Sequence, residues 1–537
     1  MKKIVQTVFL TLFFQSVKAQ QNTILIIADD VSPDYFSFSP DAKDTAITPN
    51  INTLAANGIR FIRAWANPVC SPTRASMFSG RYPFRTGVGT VITNNMSAQL
   101  DTSEMTIAKL LKYYAPVQYN TGCVGKWHIT APIPPKYLHP NKMGYNFYSG
   151  NLSGALPDFY SYPRVTNGVI DTVTLYATTQ TVNDAIGWMD TMNTSKPFFL
   201  WLAFNAPHFP YHKPPDSLIT NTGLSGTPAD ILAQPKEYFK AMIEAMDTEI
   251  GRLFQYLNTN NLMDSTNIIF IGDNGNEQDV AQVTPFQAKA TLYDYGVHVP
   301  FIISGPAVVN PNRESDALVS TTDLFATIAE LCGFNNWLNF IPANKLPVDA
   351  KSILPIIKNQ TTVIRDWNFT EQFATPTTVK DGKTIRNLNY QLLRFDNGIE
   401  KMYNMITDTL ELNNLLAGNL TAIEISNYHS LCDTLSALVG TSNCTSLSIN
   451  EADENVNSLV TVSNPFTGNL FIHADADLKN ATVSLMDVTG WVIEKWEVNL
   501  VKNNSTSLKL STEIPQGIYF LNVKTSTQNF SIKLMHE

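Results

Sequence analysis

Four apolar, strand-like runs that each end abruptly in polar residues constrain the fold of this 537-residue chain more than any other feature. They cover residues 23–28, 197–204, 267–272 and 297–304. Continuous apolar runs of this length are typical of parallel strands that are buried on both faces. Helix-like stretches lie between them, at 48–58, 105–114, 182–192 and 238–257. The alternation predicts an α/β fold built on a largely parallel sheet.

Polar side chains follow three of these runs at the point where each run ends. Asp29 and Asp30 follow the first, the segment 205–208 with His208 follows the second, and Asp273 and Asn274 follow the third. Ligands of open α/β sheets bind at the carboxyl ends of the strands. We therefore expect these residues to converge on one site although they are far apart in sequence.

The chain divides into five predicted regions. Residues 1–19 read as a secretory signal, because Lys2 and Lys3 precede an apolar run at 4–14 and small residues stand before position 20. That run is too short to span a bilayer, for which about 20 residues are needed, so we expect no membrane span. The other four predicted regions are a catalytic α/β domain (20–365), a small antiparallel subdomain (366–440), a polar linker (441–456) and a small β-sandwich (457–537).

Charge and cysteine content narrow the function. The net charge is −9, from 37 basic and 46 acidic residues, which disfavours nucleic acid as a partner and requires a locally basic pocket for any anionic substrate. Five cysteines are too few, and odd in number, for a disulfide-built scaffold. Cys432 and Cys444 are candidates for one short-range disulfide, whereas Cys123 and Cys332 read as small buried side chains.

The most specific motif begins at Cys70 and reads Cys70-Ser71-Pro72-Thr73-Arg74, with Gly80-Arg81 downstream. This motif resembles the C-x-P-x-R signature of the sulfatase family, in which a modifying enzyme converts the cysteine to formylglycine. The hydrate of that aldehyde carries two hydroxyls on one carbon, so one can attack sulfur and the other can collapse to release sulfate. The resemblance implies that Cys70 needs a formylglycine-generating or anaerobic sulfatase-maturating enzyme as a partner.

The resemblance extends to about residue 415 and implies an alkaline-phosphatase-like α/β/α sandwich. Asp29, Asp30, Asp273 and Asn274 match the family's metal ligands, and Cys70 borders the same metal. Carboxylate and amide oxygens form a hard ligand set that suits Ca²⁺ or Mg²⁺ and lacks the histidines that zinc prefers. The family resemblance favours Ca²⁺. Taken alone, Asp29 and Asp30 would read as a turn or a helix cap, and it is the second pair that favours a metal site.

Further cationic residues match family motifs. Lys126 and His128 fall in a G-K-W-H stretch, His208 in an A-P-H-x-P element, and Lys289 opens a segment resembling K-G-T-L-Y-E-G-G. By resemblance, Arg74 and Lys126 hold the formylglycine hydrate, and His128 assists its collapse. His208 and Lys289 bind sulfate and protonate the leaving oxygen, while Asp273 helps to activate the attacking hydroxyl.

The sequence departs from the family pattern in two loops. Residues 31–34 replace the usual x-G-Y-G-D continuation of the first metal motif, and residues 294–298 replace the usual E-G-G and its arginine. Neither change removes a predicted catalytic side chain.

The segment 457–537 resembles a different family, the C-terminal sorting domains of the type IX secretion system. The matching residues lie at 464–470, 485–490 and 515–521. The resemblance implies export through the periplasm to the surface or medium, with the secretion machinery as a partner. The alternative is a carbohydrate-binding sandwich, for which Trp491 and Trp496 are the available aromatic residues.

Three functions remain open at the level of the sequence. The first is hydrolysis of a sulfate ester, on a sulfated polysaccharide fragment or an aryl sulfate. The second is a phosphonate monoester or phosphodiester hydrolase of the same superfamily. The third is a surface binding protein that retains the fold without catalysis.

Overall fold

The computed structural model describes residues 21–94, 97–134, 136–440, 444, 459–487, 490–525 and 529–537. The predicted signal segment and all of the predicted linker except Cys444 lie outside these residues. In the described part of the chain, no helix combines the length and the apolar character that crossing a bilayer requires.

The first twelve strands form a ten-stranded mixed sheet and a separate two-stranded pair. They are β1 (Asn22–Ala28), β2 (Gly58–Phe61), β3 (Ala64–Trp65), β4 (Asn120–Gly125), β5 (Phe147–Gly150), β6 (Tyr162–Thr166), β7 (Val169–Val173), β8 (Phe198–Ala203), β9 (Thr266–Gly272), β10 (Phe301–Ser304), β11 (Arg313–Ser315) and β12 (Val319–Ser320). The order across the large sheet is β11-β2-β10-β9-β1-β8-β4-β5-β6-β7, and β12 pairs with β3.

Helices cover both faces of this sheet, and α12 belongs to the region that follows it. The α-helices of the described residues are α1 (Pro49–Ala56), α2 (Cys70–Ser79), α3 (Pro83–Thr86), α4 (Ile107–Tyr113), α5 (His139–Lys142), α6 (Ala177–Thr191), α7 (Pro228–Ala233), α8 (Pro235–Thr259), α9 (Asp294–Val297), α10 (Leu324–Leu331), α11 (Leu354–Ile357) and α12 (Ala422–Val439).

Alternate side chains of the central strand β1 enter two separate cores. Leu25 and Ile27 pack with residues of α2, α4, α10 and α11, whereas Ile24 and Ile26 pack with residues of α1, α6 and α8. Side chains of a strand point alternately to opposite faces, so a strand that is apolar throughout must be covered on both. The domain is therefore a three-layer α/β/α sandwich, as the sequence predicted.

One predicted strand has the wrong direction. The run 297–304 was expected to be parallel, but its strand β10 starts at Phe301 and pairs antiparallel with both β9 and β2. Its Ile302 and Ile303 are fully buried. A continuous apolar run reports burial on two faces, and an antiparallel strand in the interior of a mixed sheet meets the same requirement.

A second, antiparallel sheet follows the sandwich. Its strands run in chain order as β13 (Asn368–Gln372), β14 (Gly382–Arg386), β15 (Tyr390–Phe395) and β16 (Glu400–Asn404). Helix α12 packs on this sheet and starts at a capping box between Thr421 and Glu424. Cys432 of α12 is disulfide-bonded to Cys444, and the other three cysteines are buried and form no disulfide among the described residues.

The last seven strands form a β-sandwich, as predicted. They are β17 (Val460–Val462), β18 (Asn469–Ala474), β19 (Leu478–Met486), β20 (Val492–Leu500), β21 (Asn504–Lys509), β22 (Gly517–Lys524) and β23 (Asn529–His536). The two sheets have the orders β17-β18-β21 and β20-β19-β22-β23. Leu470 and Ile472 of the first sheet share one core with Val483 and Leu521 of the second.

Candidate active site

Four neighbouring parallel strands, β9, β1, β8 and β4, end at the same edge of the large sheet. The structure thereby brings together seven of the predicted site residues, which follow these strands directly. All seven are buried: Asp29, Asp30, Lys126, His128, His208, Asp273 and Asn274. The N-terminal end of α2 adds Cys70 and Arg74, and the loop before α9 adds Lys289.

Two of these residues have a costly backbone conformation. Asp30 (φ 66°) and His128 (φ 53°) lie in the left-handed region, which costs non-glycine residues roughly 1 kcal/mol or more. The amide N–H of Asp30 donates to Oδ1 of Asp273 at 3.1 Å, so a contact between two strand ends stabilises the turn. Strain of this kind clusters at active sites.

Cys70 is the first residue of α2, and its thiol faces His128. Sγ lies 3.1 Å from Nδ1 of His128, while Nε2 of the same ring lies 3.1 Å from the carbonyl oxygen of Ile92. Because a carbonyl only accepts, Nε2 carries the proton and Nδ1 accepts from the thiol. Burial, together with Lys126 and Arg74, lowers the pKa of His128 well below its ordinary value, and burial raises the pKa of the Cys70 thiol. The pair is therefore neutral at pH 7.

Arg74 and Lys126 neutralise two buried carboxylates beside Cys70. The Arg74 guanidinium donates to Oδ2 of Asp273 from Nε (3.0 Å) and Nη2 (2.8 Å), and Nη1 donates to the backbone oxygen of Lys126 (2.8 Å). The Lys126 ammonium contacts both carboxylate oxygens of Asp29, at 2.7 and 2.6 Å. Burial opposes the charge on Lys126, but Asp29 offsets this and raises its pKa. Both cations are consequently held at fixed positions.

Lys289 and His208 meet at the third carboxylate. Lys289 Nζ lies 2.6 Å from Oδ2 of Asp30 and 2.8 Å from Oε1 of Glu277, and Nε2 of His208 lies 3.4 Å from Oδ2 of Asp30. Burial opposes ionisation of Asp30, yet His208 and Lys289 hold its pKa below the ordinary value. Burial lowers the pKa of His208 to about 4, and its Nδ1–H donates to the carbonyl of Phe209 at 2.8 Å.

The oxygen atoms between these cations fit a hard divalent cation. Nδ2 of Asn274 donates to Asp30 and to Gly275, each at 2.8 Å, while its buried Oδ1 has no hydrogen-bond partner among the described residues. A buried amide oxygen without a partner carries a desolvation cost that a cation ligand relieves. Sγ of Cys70 and carboxylate oxygens of Asp29 and Asp273 lie within 4.8 Å of one another. The donor set of three carboxylates and one amide suits Ca²⁺ or Mg²⁺.

The site opens to solvent on one side. The side chains of Arg74, Lys126 and Asp29 are 0% exposed, whereas those of Lys289 and Glu277 are 8% and 33% exposed. Cys70 therefore lies at the closed end of the site. Lys289 and Glu277, which neighbour His208, lie on the exposed side of the site.

Sequence reasoning missed two groups of this site. The carbonyl of Ile92 fixes the tautomer of His128, and a backbone acceptor leaves no signature in the side-chain sequence. Glu277 pairs with Lys289 at the opening of the site. Its position three residues after Asn274 could have indicated this, because a residue so close in sequence to a predicted metal ligand stays near it in the fold.

Fold and site together define a hydrolase of the alkaline-phosphatase-like α/β class. A family model described as Sulfatase matches residues 21–334, and the chain belongs to this family, whose members hydrolyse sulfate esters. A model described as the C-terminal region of N-sulphoglucosamine sulphohydrolase matches residues 285–435. A third, described as a secretion system C-terminal sorting domain, matches residues 463–537.

Similar proteins include enzymes named for sulfated sugars. The ulvan-active sulfatase of Formosa agariphila is 24% identical over 75% of this chain and 78% of its own length. The N-acetylgalactosamine-6-O-sulfatase of Bacteroides thetaiotaomicron is 27% identical over 58% of this chain and 72% of its own length. The crystal structure of Ps i-CgsB in complex with k-i-k-neocarrahexaose has a TM-score of 0.65 at 27% identity, and covers 78% of this chain and 93% of that chain.

Proposed function

We propose that this sulfatase removes sulfate from an extracellular sulfated polysaccharide or its fragments, with formylglycine at position 70 and a bound Ca²⁺. One observation carries the proposal: the buried Cys70 side chain faces carboxylates of Asp29 and Asp273 and the cations that neutralise them. A sulfate monoester is an anion, so its reacting centre needs concentrated positive charge, although the protein as a whole is acidic.

A thiol at position 70 does not suit this chemistry, and the surroundings of Cys70 support its conversion. The thiol is fully buried with a raised pKa, so little thiolate exists at pH 7. Formylglycine supplies, as its hydrate, an oxygen nucleophile at this position. His128 Nδ1 accepts the hydrogen of the group at position 70 and is therefore placed to receive a proton from it.

Ca²⁺ would be held by Asp29, Asp30, Asp273 and Asn274, and it supplies Lewis-acid stabilisation of negative charge when bound. The chain's own cations act in the same direction. Arg74 and Lys126 approach from the closed end of the site and fix the carboxylates of Asp273 and Asp29. Because both cations are already oriented by these contacts, they stabilise charge on a sulfuryl group without reorganisation.

His208 and Lys289 are proposed to serve the leaving group. Both contact Oδ2 of Asp30 and both lie on the open side of the site, so the bond from sulfur to the departing oxygen points toward them. Burial would lower the pKa of Lys289, but Asp30, with smaller contributions from Cys70 and Glu277, raises it well above its ordinary value, so Lys289 stays charged. The Lys289 ammonium can stabilise the oxyanion of the leaving group and can donate a proton to it from Nζ.

The sulfated-saccharide substrate is inferred from relatives named for ulvan and for N-acetylgalactosamine 6-O-sulfate, and from the complex with k-i-k-neocarrahexaose. Export by type IX secretion is proposed from the sorting-domain match at 463–537 and the signal-like residues 1–19. We also propose the predicted boundaries 20–365, 366–440 and 457–537 as the domains of the mature protein and its tail.

The proposal is tested by sulfate release from a panel of ulvan oligosaccharides, k-i-k-neocarrahexaose, N-acetylgalactosamine 6-sulfate and 4-nitrophenyl sulfate, and by 4-nitrophenol release from bis(4-nitrophenyl) phosphate. Enzyme from a host with a maturation system is expected to release sulfate from at least one saccharide. Faster turnover of the phosphodiester than of every sulfate would instead support the phosphodiesterase alternative. Peptide mass spectrometry around residue 70 measures the conversion, which exchanges one sulfur and two hydrogens for one oxygen.

A further inference from the structure

The opening of the site determines where the rest of a large substrate must lie. Cys70, Lys126 and Arg74 are buried at the closed end, and Lys289 and Glu277 keep exposed surface. A sulfated sugar chain cannot enter the closed end, so it stays in solvent above the open side. The sugar unit that carries the sulfate must therefore contact whatever surrounds His208 and Lys289.

Phe209 lies at this position. Its ring stacks on the imidazole of His208 with a centroid distance of 4.5 Å and an interplanar angle of 28°. Its backbone carbonyl accepts the Nδ1–H of His208 at 2.8 Å. Phe209 and His208 are thus held together as one unit at the solvent side of the Asp30 carboxylate.

The exposure of Phe209 is unusual for its surroundings. Its neighbour His208 is 5% exposed, and Tyr211 two residues later packs edge-on against Phe239 of α8. Phe209 is 47% exposed. An aromatic side chain half in water contributes less to the stability of the fold than a buried one. Ligand sites combine aromatic and apolar side chains with a few converging polar groups, and Phe209 lies beside such polar groups.

We propose that the exposed face of Phe209 is the binding platform for the sugar ring that carries the sulfate; this rests on the proposed function. The face of an aromatic ring carries negative charge density, and the C–H groups on one face of a pyranose are weakly positive and apolar. The platform therefore selects a saccharide with one face of axial C–H groups. It adds affinity for the sugar without contacting the sulfate.

The central measurement compares Phe209→Ala with wild type in two assays. The first gives kcat and KM on the best saccharide of the panel, and the second gives the inhibition constant of inorganic sulfate as a competitive inhibitor. Loss of the platform is expected to raise KM for the saccharide about tenfold, with kcat within about twofold. The inhibition constant of inorganic sulfate should not change, because the platform contacts the sugar ring and not the sulfate. Phe209→Trp should retain the wild-type KM for the saccharide. Phe209→Leu should show most of the KM increase seen in Phe209→Ala, because leucine keeps the bulk of the side chain without an aromatic face.

Phe471→Ala is the matched control, since Phe471 is 50% exposed on β18 of the C-terminal sandwich, and it should leave KM unchanged. Thermal melting of each variant establishes folding. An unchanged saccharide KM in Phe209→Ala overturns the inference. The inference is also overturned if the inhibition constant of inorganic sulfate rises in proportion to KM for the saccharide, because Phe209 would then act by positioning His208. Failure of the wild type to act on any saccharide while it cleaves 4-nitrophenyl sulfate would overturn the proposed substrate class, and the platform with it.

Discussion

The Cys70 thiol and the His128 imidazole form a neutral pair, with Sγ and Nδ1 3.1 Å apart and the opposite ring nitrogen bound to the carbonyl of Ile92. This arrangement commits Nδ1 to accept a hydrogen from whatever group occupies position 70. It is compatible with the thiol and with the hydroxyl that the proposed conversion to formylglycine would place there. The same geometry would therefore suit both chemical forms of the residue.

Replacement of Cys70 by alanine is expected to reduce kcat at least a thousandfold, because a methyl group can form no nucleophile. Folding should be preserved, since the change removes one atom from a buried side chain. Sulfate release and thermal melting measure the two effects. Cys332→Ala is a control at another buried cysteine, and it should retain kcat. Activity above a trace in Cys70→Ala would refute the role of this residue.

Asn274 provides a direct test of the metal. Its Oδ1 has no partner among the described atoms, so Asn274→Ala is expected to weaken calcium binding by tenfold or more and to reduce the calcium-induced rise in Tm. Stripping the wild type with a chelator should abolish activity, and calcium should restore it. A metal-free wild type with full activity would contradict the site. Better restoration by zinc than by calcium would favour the phosphatase branch of the superfamily.

Lys289→Met tests the charge on the open side of the site. Loss of the ammonium beside Asp30 is expected to lower kcat/KM for sulfate esters about a hundredfold and to weaken inhibition by inorganic sulfate. Lys401→Met is the control, because Lys401 is a partly buried lysine that is not a predicted site residue. Its ammonium donates a hydrogen bond to the hydroxyl of Tyr293. Equal losses in the two variants would indicate a general effect on packing rather than a role in the site.

Much of this architecture could be predicted, because apolar runs in the sequence indicate buried strands and the polar residues after them indicate where those strands end. The runs that became β1, β8 and β9 are apolar on both faces, and their polar ends specified the edge where Asp29, His208 and Asp273 meet. The same reasoning gave β10 the wrong direction, because burial on both faces does not distinguish parallel from antiparallel pairing.

The finer geometry of the site could not be predicted for a different reason. The exposure of Phe209 depends on how its loop packs, and the pairing of Glu277 with Lys289 depends on a loop between β9 and α9. Neither the exposure of Phe209 nor the pairing of Glu277 with Lys289 produces a periodic pattern in the sequence. Side-chain identities at strand ends set the composition of the site, while tertiary packing decides which of them face the solvent.

The stability of the fold is predicted to depend on pH through Glu371, which is not one of the predicted metal ligands. Burial raises its pKa to about 7, against one opposing hydrogen bond from the N–H of Phe84, and its Oε2 has no partner among the described residues. The folded state keeps the proton that the unfolded chain releases near pH 4.5, so wild-type stability falls as pH rises from about 4.5 to 7. The loss amounts to about 3 kcal/mol at most.

Glu371→Gln removes this titration and keeps an oxygen that can accept from Phe84. Relative to wild type, the variant is expected to gain stability as pH rises from 5 to 8, which melting curves at several pH values would show as a Tm difference growing by a few degrees. Parallel Tm profiles for the two proteins across this range would show that Glu371 is ionised in the fold or titrates normally.

The C-terminal sandwich is expected to act as an export signal and not to take part in catalysis. Its core, which contains Leu470, Val483 and Leu521, is separate from the two cores that flank the large sheet. The predicted catalytic residues all lie at or before Lys289. A chain that ends at residue 456 should therefore keep kcat and KM for 4-nitrophenyl sulfate within about twofold, since a domain with its own core can be removed without exposing another.

The location of the truncated protein tests the address itself. In the native cell it should accumulate in the periplasm, while the full chain reaches the surface or the medium, as fractionation and immunoblotting would show. Loss of activity on 4-nitrophenyl sulfate would mean that the tail supports the active site. Loss confined to polymeric substrates would mean that the sandwich binds carbohydrate, and export of the truncated chain at the normal rate would remove its role as a sorting signal.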